Sequence, residues 1–459
     1  MRRRHGGRAA ALVAVVLLGV PASGALDGGP LPAGRDGAGV ATPPVASWPL
    51  DAQRVPASEG PWVAAWMAAV TPPLGEGDLE ERLENRSLRN VVSVSVGGSA
   101  VRVEVSNRHG DAPLLVSHAT VALAEGRGPA ALPGTMRELS FEGLAGVSLP
   151  AGREAWSDPV RLGVPDGAGL LVTLHTLEVP RTGTYHRWAL QPGFVAAGDH
   201  AADESGAAFA PGGGGNGGGG GGDSRGAGRW WFLSEVQVRS DTVRGAVVVL
   251  GDSLTDAAGA TPGAGRRWTD VLARRLREEP DAPRLSVLNA GLSGNRLLRD
   301  APVDRPFDGD GGLARLAEDV LEPAGAGTVI VQLGINDIRR DPAGGDAGKL
   351  VAGMRRLAGE ARAAGLTVVG ATLAPCEGSR LWTGRREEVR QRVNAEIRSG
   401  EVFDAVLDLD LALRDPERPE RLRPAYDSGD HLHPNDAGHA AMAAAVDLSV
   451  LGGRVTGPP

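Results

Sequence analysis

The apolar run Ala246-Val247-Val248-Val249-Leu250 ends in Gly251-Asp252-Ser253, which puts a serine hydroxyl at the carboxyl end of what reads as a fully buried strand. Open α/β sheets place their chemistry at that end. Gly-Asp-Ser is also ordinary turn composition, so the serine matters only if partners accompany it. Three later segments offer them. Val287-Leu288-Asn289 runs into Ala290-Gly291-Leu292-Ser293-Gly294-Asn295, and Val329–Leu333 runs into Gly334-Ile335-Asn336-Asp337. Asp430-His431-Leu432-His433-Pro434-Asn435 comes just before an Ala-rich stretch near the C-terminus. Each has a plain use too: Gly294 in its turn, Asn336 as a helix cap, His433 as a surface histidine.

Taken together, these are the residue types that acyl transfer requires. A serine hydroxyl is a weak nucleophile until an imidazole accepts its proton. The imidazole needs a carboxylate that fixes its tautomer and stabilises its charged form. The tetrahedral oxyanion needs preorganised donors, such as a backbone N–H made approachable by glycine and a neutral side-chain amide. Asp430, His431, His433 and His439 could instead hold a metal ion. In that case the serine, glycine and asparagine segments have no task, so neither a metal nor a cofactor is expected. His431 and His439 are expected on the polar rim. Ser253 lies outside the Gly-x-Ser-x-Gly elbow, which disfavours the α/β-hydrolase fold.

In this order, the four segments resemble the four blocks of the SGNH hydrolases, the GDSL esterases and lipases. The resemblance spans roughly residues 244–450, and stretches such as Asn289–Leu298, Gly370–Gly378 and Leu422–Gly438 are similar to secreted actinobacterial members. It implies a catalytic triad of Ser253, Asp430 and His433. It also implies an oxyanion hole made by the backbone N–H groups of Ser253 and Gly294 and the side-chain amide of Asn336. The expected activity is a secreted serine esterase, acting on short acyl groups carried by carbohydrate or other polar alcohols. A lipase or lysophospholipase, an acyltransferase using the same acyl-enzyme, and a carbohydrate-binding protein with a vestigial catalytic half are the alternatives.

The elements around these segments suggest how they are brought together. Strands are expected at Ala246–Leu250, Leu285–Asn289, Thr328–Leu333, Thr367–Leu373 and Val402–Leu407. Helical patterns lie between them at Trp268–Arg277, Leu313–Leu321, Lys349–Ala364 and Arg385–Arg398. This alternation predicts a three-layer α/β/α doubly wound parallel sheet, flavodoxin-like, over residues 244–452. Before it, Val91–Val96 and Val101–Val105 alternate around a Gly-Gly-Ser turn, and further short strands are expected at Leu114–Leu123, Gly169–Leu174 and Tyr185–Leu190. Residues 59–240 therefore read as an antiparallel β-sandwich of jelly-roll type. The glycine run 212–222 looks like a linker. Yet Trp230–Val238 after it alternates like one more sandwich strand, so residues 203–228 are read as a disordered loop within that domain.

Residues 1–25 read as a signal peptide, with Arg2, Arg3, Arg4 and Arg8 ahead of the apolar run 9–20 and small residues at 22–25. Residues 26–58 read as a flexible lead-in, and the expected location is extracellular, without a stable membrane anchor. The net charge is −8, which disfavours nucleic acid as a partner. Cys376, the sole cysteine, excludes an internal disulfide and is expected as a small packed residue.

Overall fold

Alternate side chains of the strand Ala246–Gly251, buried along its whole length, feed two different cores. Val247 and Val249 pack with Trp268, Leu272 and Leu276 of the helix Trp268–Glu278 and with Met442 of the helix Asp436–Ala444. Val248 and Leu250 pack with Leu350, Met354 and Leu357 of the helix Ala347–Ala363 and with Val393 and Ile397 of the helix Gly384–Arg398. A strand buried on both faces must be apolar at every position, which is why the sequence shows a continuous run there. The computed structural model describes residues 60–73, 83–212 and 228–452, all within one compact unit. The expected signal peptide (1–25) and lead-in (26–58), and most of the glycine run, lie outside the described residues.

Five parallel strands form the catalytic sheet, in the order Ser286–Gly291, Ala246–Gly251, Ala326–Gln332, Thr367–Ala371, Ala405–Leu407. With helices on both faces, this is the expected three-layer α/β/α fold. The second strand in sequence lies outside the first, so the order reverses between Ala246–Gly251 and Ala326–Gln332, where doubly wound folds bind their ligands. Two elements differ from expectation. The helix expected over Leu313–Leu321 shrinks to a π-helical turn, Ala317–Leu321, because Arg315 points inward to the ends of two strands. The last strand is only Ala405–Leu407: Val402 and Phe403 sink into the core instead, and a Cβ at Gly370 would overlap the Phe403 ring.

Ahead of this sheet stands an antiparallel sandwich. Its larger sheet is ordered Ala210–Pro211, Gly193–Ala197, Arg86–Ser93, Gly169–Glu178, Leu114–Leu123, Arg137–Glu138, with Val147–Leu149 also on Leu114–Leu123. The smaller runs Trp62–Met67, Leu233–Arg239, Gly98–Ser106, Glu154–Trp156, with Val160–Val164 also on Gly98–Ser106. Arg86–Ser93 and Gly98–Ser106 thus belong to opposite sheets, so the Gly-Gly-Ser turn carries the chain across the sandwich and does not close a hairpin. Residues 203–212, read as part of a disordered loop, are ordered. Arg89 donates to the Asp203 carbonyl at 2.8 Å, and Ala210–Pro211 pairs with the neighbouring strand. Tyr185–Leu190 contributes only Tyr185–His186, paired with Trp230–Trp231.

The sandwich closes one edge of the catalytic sheet. Ala68 bridges Asn289 in parallel, the Val287 N–H donates to Ser95 Oγ at 3.0 Å, and Ala64 N–H donates to the Ala324 carbonyl at 2.9 Å. Ala64, Met67 and Ala69 pack into the same core as Val248 and Leu250. An open edge strand exposes unpaired N–H and C=O groups, and here another part of the same chain covers them.

Candidate active site

Gly251 ends its strand and Asp252 caps the short helix Ser253–Asp256, its carboxylate accepting the Leu254 N–H at 3.0 Å. Burial of Asp252 pushes its carboxyl up to about 6. Ser253, the first residue of this helix, is 7 % exposed. Its Oγ lies 2.9 Å from His433 Nε2, and His433 Nδ1 lies 2.5 Å from Asp430 Oδ2. The three residues of the expected triad therefore form one hydrogen-bonded chain. Burial opposes ionisation of Asp430, but the hydrogen bond and charge of His433 outweigh it. With the N–H groups of His433 and Leu432, they hold the carboxyl well below the usual carboxylate range.

The Asp430–His433 loop is built almost wholly from its own residues. Asp430 Oδ1 accepts the N–H groups of Leu432 and His433 at 2.9 and 2.8 Å. Asp427 accepts the N–H groups of Gly429 and His431 at 2.8 and 3.0 Å. Asn435 then caps the last helix through the N–H groups of Ala437 and Gly438.

Gly294 and Asn336 follow the two strands that flank Ala246–Gly251, and their turns meet at Asn295. Gly294 has φ +92°, and a Cβ there would overlap the Asp308 carboxylate, so both conformation and space demand glycine. Asn336, in the helix Ile335–Arg339, is 3 % exposed and donates one amide hydrogen to the Asn295 carbonyl at 3.0 Å. A primary amide carries two such hydrogens, which leaves a second for a ligand. Asp337 receives the N–H groups of Leu297 and Leu298 at 2.7 and 3.0 Å. The turn is tied to the serine helix as well: Ser293 N and Oγ donate to Asp256 Oδ2 at 3.1 and 2.5 Å.

Sequence patterns do not mark several of the supporting residues. Arg315 is buried and donates to the carbonyls of Gly251 and Ala290 at 2.9 and 2.8 Å and to Asn295 Oδ1 at 3.1 Å, with Asp319 as its counter-ion at 2.7 Å. It thus joins the ends of two strands to the Gly294 turn. Asp308, also buried, holds Arg305 at 2.9 Å and Arg340. These supports lie far from the four segments in sequence or sit in irregular chain, where no periodicity flags them.

A narrow cavity of about 10 Å³ is lined by Asp252, Leu254, Gln332, Ile335, Thr372, Leu373, Ala374 and Leu432. Four of these flank Ser253, Asn336 and His433 in sequence. His431 lies on the exposed rim as expected, paired with Asp427 at 2.5 Å. His439 does not: it is fully buried, and burial pulls its imidazole down to about 4. Cys376 is buried, which raises its thiol.

Residues 249–441 match the family model of the GDSL-like lipases and acylhydrolases. No curated protein matches the chain. Among solved structures it is similar to an acetylxylan esterase from Geobacillus stearothermophilus, at 23 % identity and TM-score 0.33, over 44 % of this chain and 92 % of that one. It is also similar to a GDSL-like lipase from Bacteroides thetaiotaomicron, at 18 % identity and TM-score 0.32, over 45 % of this chain and 88 % of the other. The four sequence blocks and the doubly wound sheet agree with the family match, so residues 249–441 form a domain of the GDSL-like lipase/acylhydrolase, or SGNH, type, and the protein is a carboxylic ester hydrolase.

Proposed function

We propose that this hydrolase is a secreted esterase that works through an acyl-enzyme on Ser253 and removes short acyl groups from carbohydrate or other polar alcohols. The observation that carries the reading is the relay from Ser253 Oγ through His433 to Asp430, at 2.9 and 2.5 Å. In this scheme His433 Nε2 takes the serine proton as Oγ attacks the ester carbon. Asp430 accepts the Nδ1–H and balances the imidazolium. The N–H groups of Ser253 and Gly294 and the free amide hydrogen of Asn336 receive the oxyanion. His433 then protonates the departing alcohol, and water repeats the sequence on the acyl-enzyme.

Leu254, Ile335, Leu373, Ala374 and Leu432 give a small hollow an apolar lining next to Ser253, Asn336 and His433 in sequence, which suits a short acyl group. The chain has 4 % aromatic residues, and among the described residues no helix is long and apolar enough to cross a membrane. The arginines and apolar run at the N-terminus support export.

Ser253→Ala and His433→Ala are each expected to abolish ester hydrolysis in a folded protein, and more than a few per cent of residual activity in either would overturn the assignment. Chelators are expected to leave the wild type unaffected. With a series of aryl esters, kcat/KM is expected to fall as the acyl chain grows beyond acetyl. A steady climb toward long chains would decide for a lipase.

A further inference from the structure

Both ring nitrogens of His186 are engaged, and neither partner belongs to the acid–base relay. Nδ1 lies 2.8 Å from the Ala69 carbonyl oxygen and Nε2 lies 3.0 Å from Asp256 Oδ1. The side chains of His186 and Asp256 are 4 and 3 % exposed. His186 belongs to the sandwich: its two-residue strand pairs with Trp230–Trp231, and its ring lies 5.2 Å from that of Trp230. Trp230 is itself fixed edge-on to Trp66 at 4.8 Å, and its indole N–H donates to the Val91 carbonyl at 2.7 Å.

Asp256 closes the helix that Ser253 begins, and its second oxygen holds Ser293 N and Oγ, one residue before Gly294. A continuous chain of buried contacts therefore runs from the sandwich core through His186 and Asp256 to the turn that carries the Gly294 N–H. Gly291 and Gly294 bracket this turn, so its own backbone does little to restrict it. External hydrogen bonds must set its position.

We propose that His186 is a positioning residue for ester hydrolysis, through which the β-sandwich holds Asp256 and the Ser293–Gly294 turn where the oxyanion forms. The inference rests on the oxyanion role proposed above for Gly294. Without His186, Asp256 Oδ1 loses the hydrogen-bond partner that the sandwich supplies, and the carboxylate is free to turn away from Ser293. A small misplacement of one oxyanion donor lowers the rate by roughly 10²-fold, while ground-state binding, which uses it less, changes little.

The test uses the full chain and a water-soluble acetyl aryl ester. His186→Ala is expected to lower kcat by about 10–100-fold with KM within about threefold of wild type. His186→Gln, which keeps one donor, is expected to recover part of kcat. Labelling of Ser253 by a fluorophosphonate is expected to slow in step with kcat. Should His186→Ala not fold, Ser293→Ala cuts the same chain from the catalytic side. It is expected to lose kcat by several-fold, and its combination with His186→Gln to lose less than the product of the two. A lowered melting temperature with kcat unchanged below it, or full independence of the two substitutions, would overturn the proposal. If Ser253→Ala is inactive while His186→Gln and Ser293→Ala keep wild-type kcat, this inference alone fails. If Ser253→Ala remains active, the nucleophile assignment itself fails.

Discussion

The two sides of Ser253 are built in opposite ways. The acid–base side is local: Asp430 and His433 sit in one loop whose hydrogen bonds come from residues 427–438, and the Asp430 side chain is 52 % exposed. The proposed oxyanion side is assembled from a distance. Its Gly294 turn is held by Asp256, Asp308, Arg315 and Asn336, and behind Asp256 stands His186, 70 positions away in the sequence. Proton transfer needs a donor, an acceptor and a carboxylate in line, and a short loop can supply the last two. Oxyanion stabilisation needs donors that do not reorganise as charge develops, which calls for a rigid and buried surround.

Substitutions on the two sides should therefore fail differently. Asp430→Asn is expected to give the larger loss of activity, yet to leave about 10²-fold more than Ser253→Ala, because the nucleophile and base remain. Its melting temperature near neutral pH is expected to fall by less than that of a core substitution: the depressed Asp430 carboxyl contributes some stability there, but the half-exposed loop carries little of the core. Parallel kinetics and thermal unfolding would check this. A fall in stability as large as that of a core substitution would show that the loop is not self-contained.

Gly294→Ala is expected to cost about 10²–10³-fold in kcat, the usual effect of losing one oxyanion donor. Here the melting temperature is expected to fall too, because a Cβ at φ +92° meets the Asp308 carboxylate that pairs with Arg305 and Arg340. Unchanged stability with a normal kcat would mean that the turn gives way easily, and the contrast between the two sides would be lost.

The same contrast explains what could be read from the sequence. The Asp430-x-x-His433 spacing and the buried run before Ser253 are short-range signals, and the strand 246–251 and helices 347–363 and 384–398 follow from apolar periodicity. The crossing from one sandwich sheet to the other at residues 94–97 was not legible, because a hairpin and a crossover turn share the same glycine-rich composition. Nor was the role of His186 or Arg315. A buried polar residue is informative only with its partner, and their partners lie on other elements.

The smallest expected effect lies where the two halves of the molecule meet. Glu235 in the strand Leu233–Arg239 is 8 % exposed, accepts from Gln237 Nε2 at 2.7 Å, and has burial as the main reason its carboxyl rises to about 8. The neighbouring Glu104, also raised chiefly by burial, reaches about 7. A carboxyl with a raised folded pKa holds its proton more tightly folded than unfolded. Its stabilisation is thus complete below the unfolded value, near about 4.5, and is lost as pH climbs through 8. Wild-type stability is expected to decline between pH 5 and 9, and Glu235→Gln to flatten that decline by about 1–3 kcal/mol, leaving the part due to Glu104. Ester hydrolysis measured at pH 7, well below the melting temperature, is expected to be unchanged, since Glu235 touches neither side of the site. Thermal unfolding of both proteins across this pH range decides the matter. Identical slopes would mean that water reaches Glu235 where the sandwich meets the Ala324 loop, and that this contact is looser than its hydrogen bonds suggest.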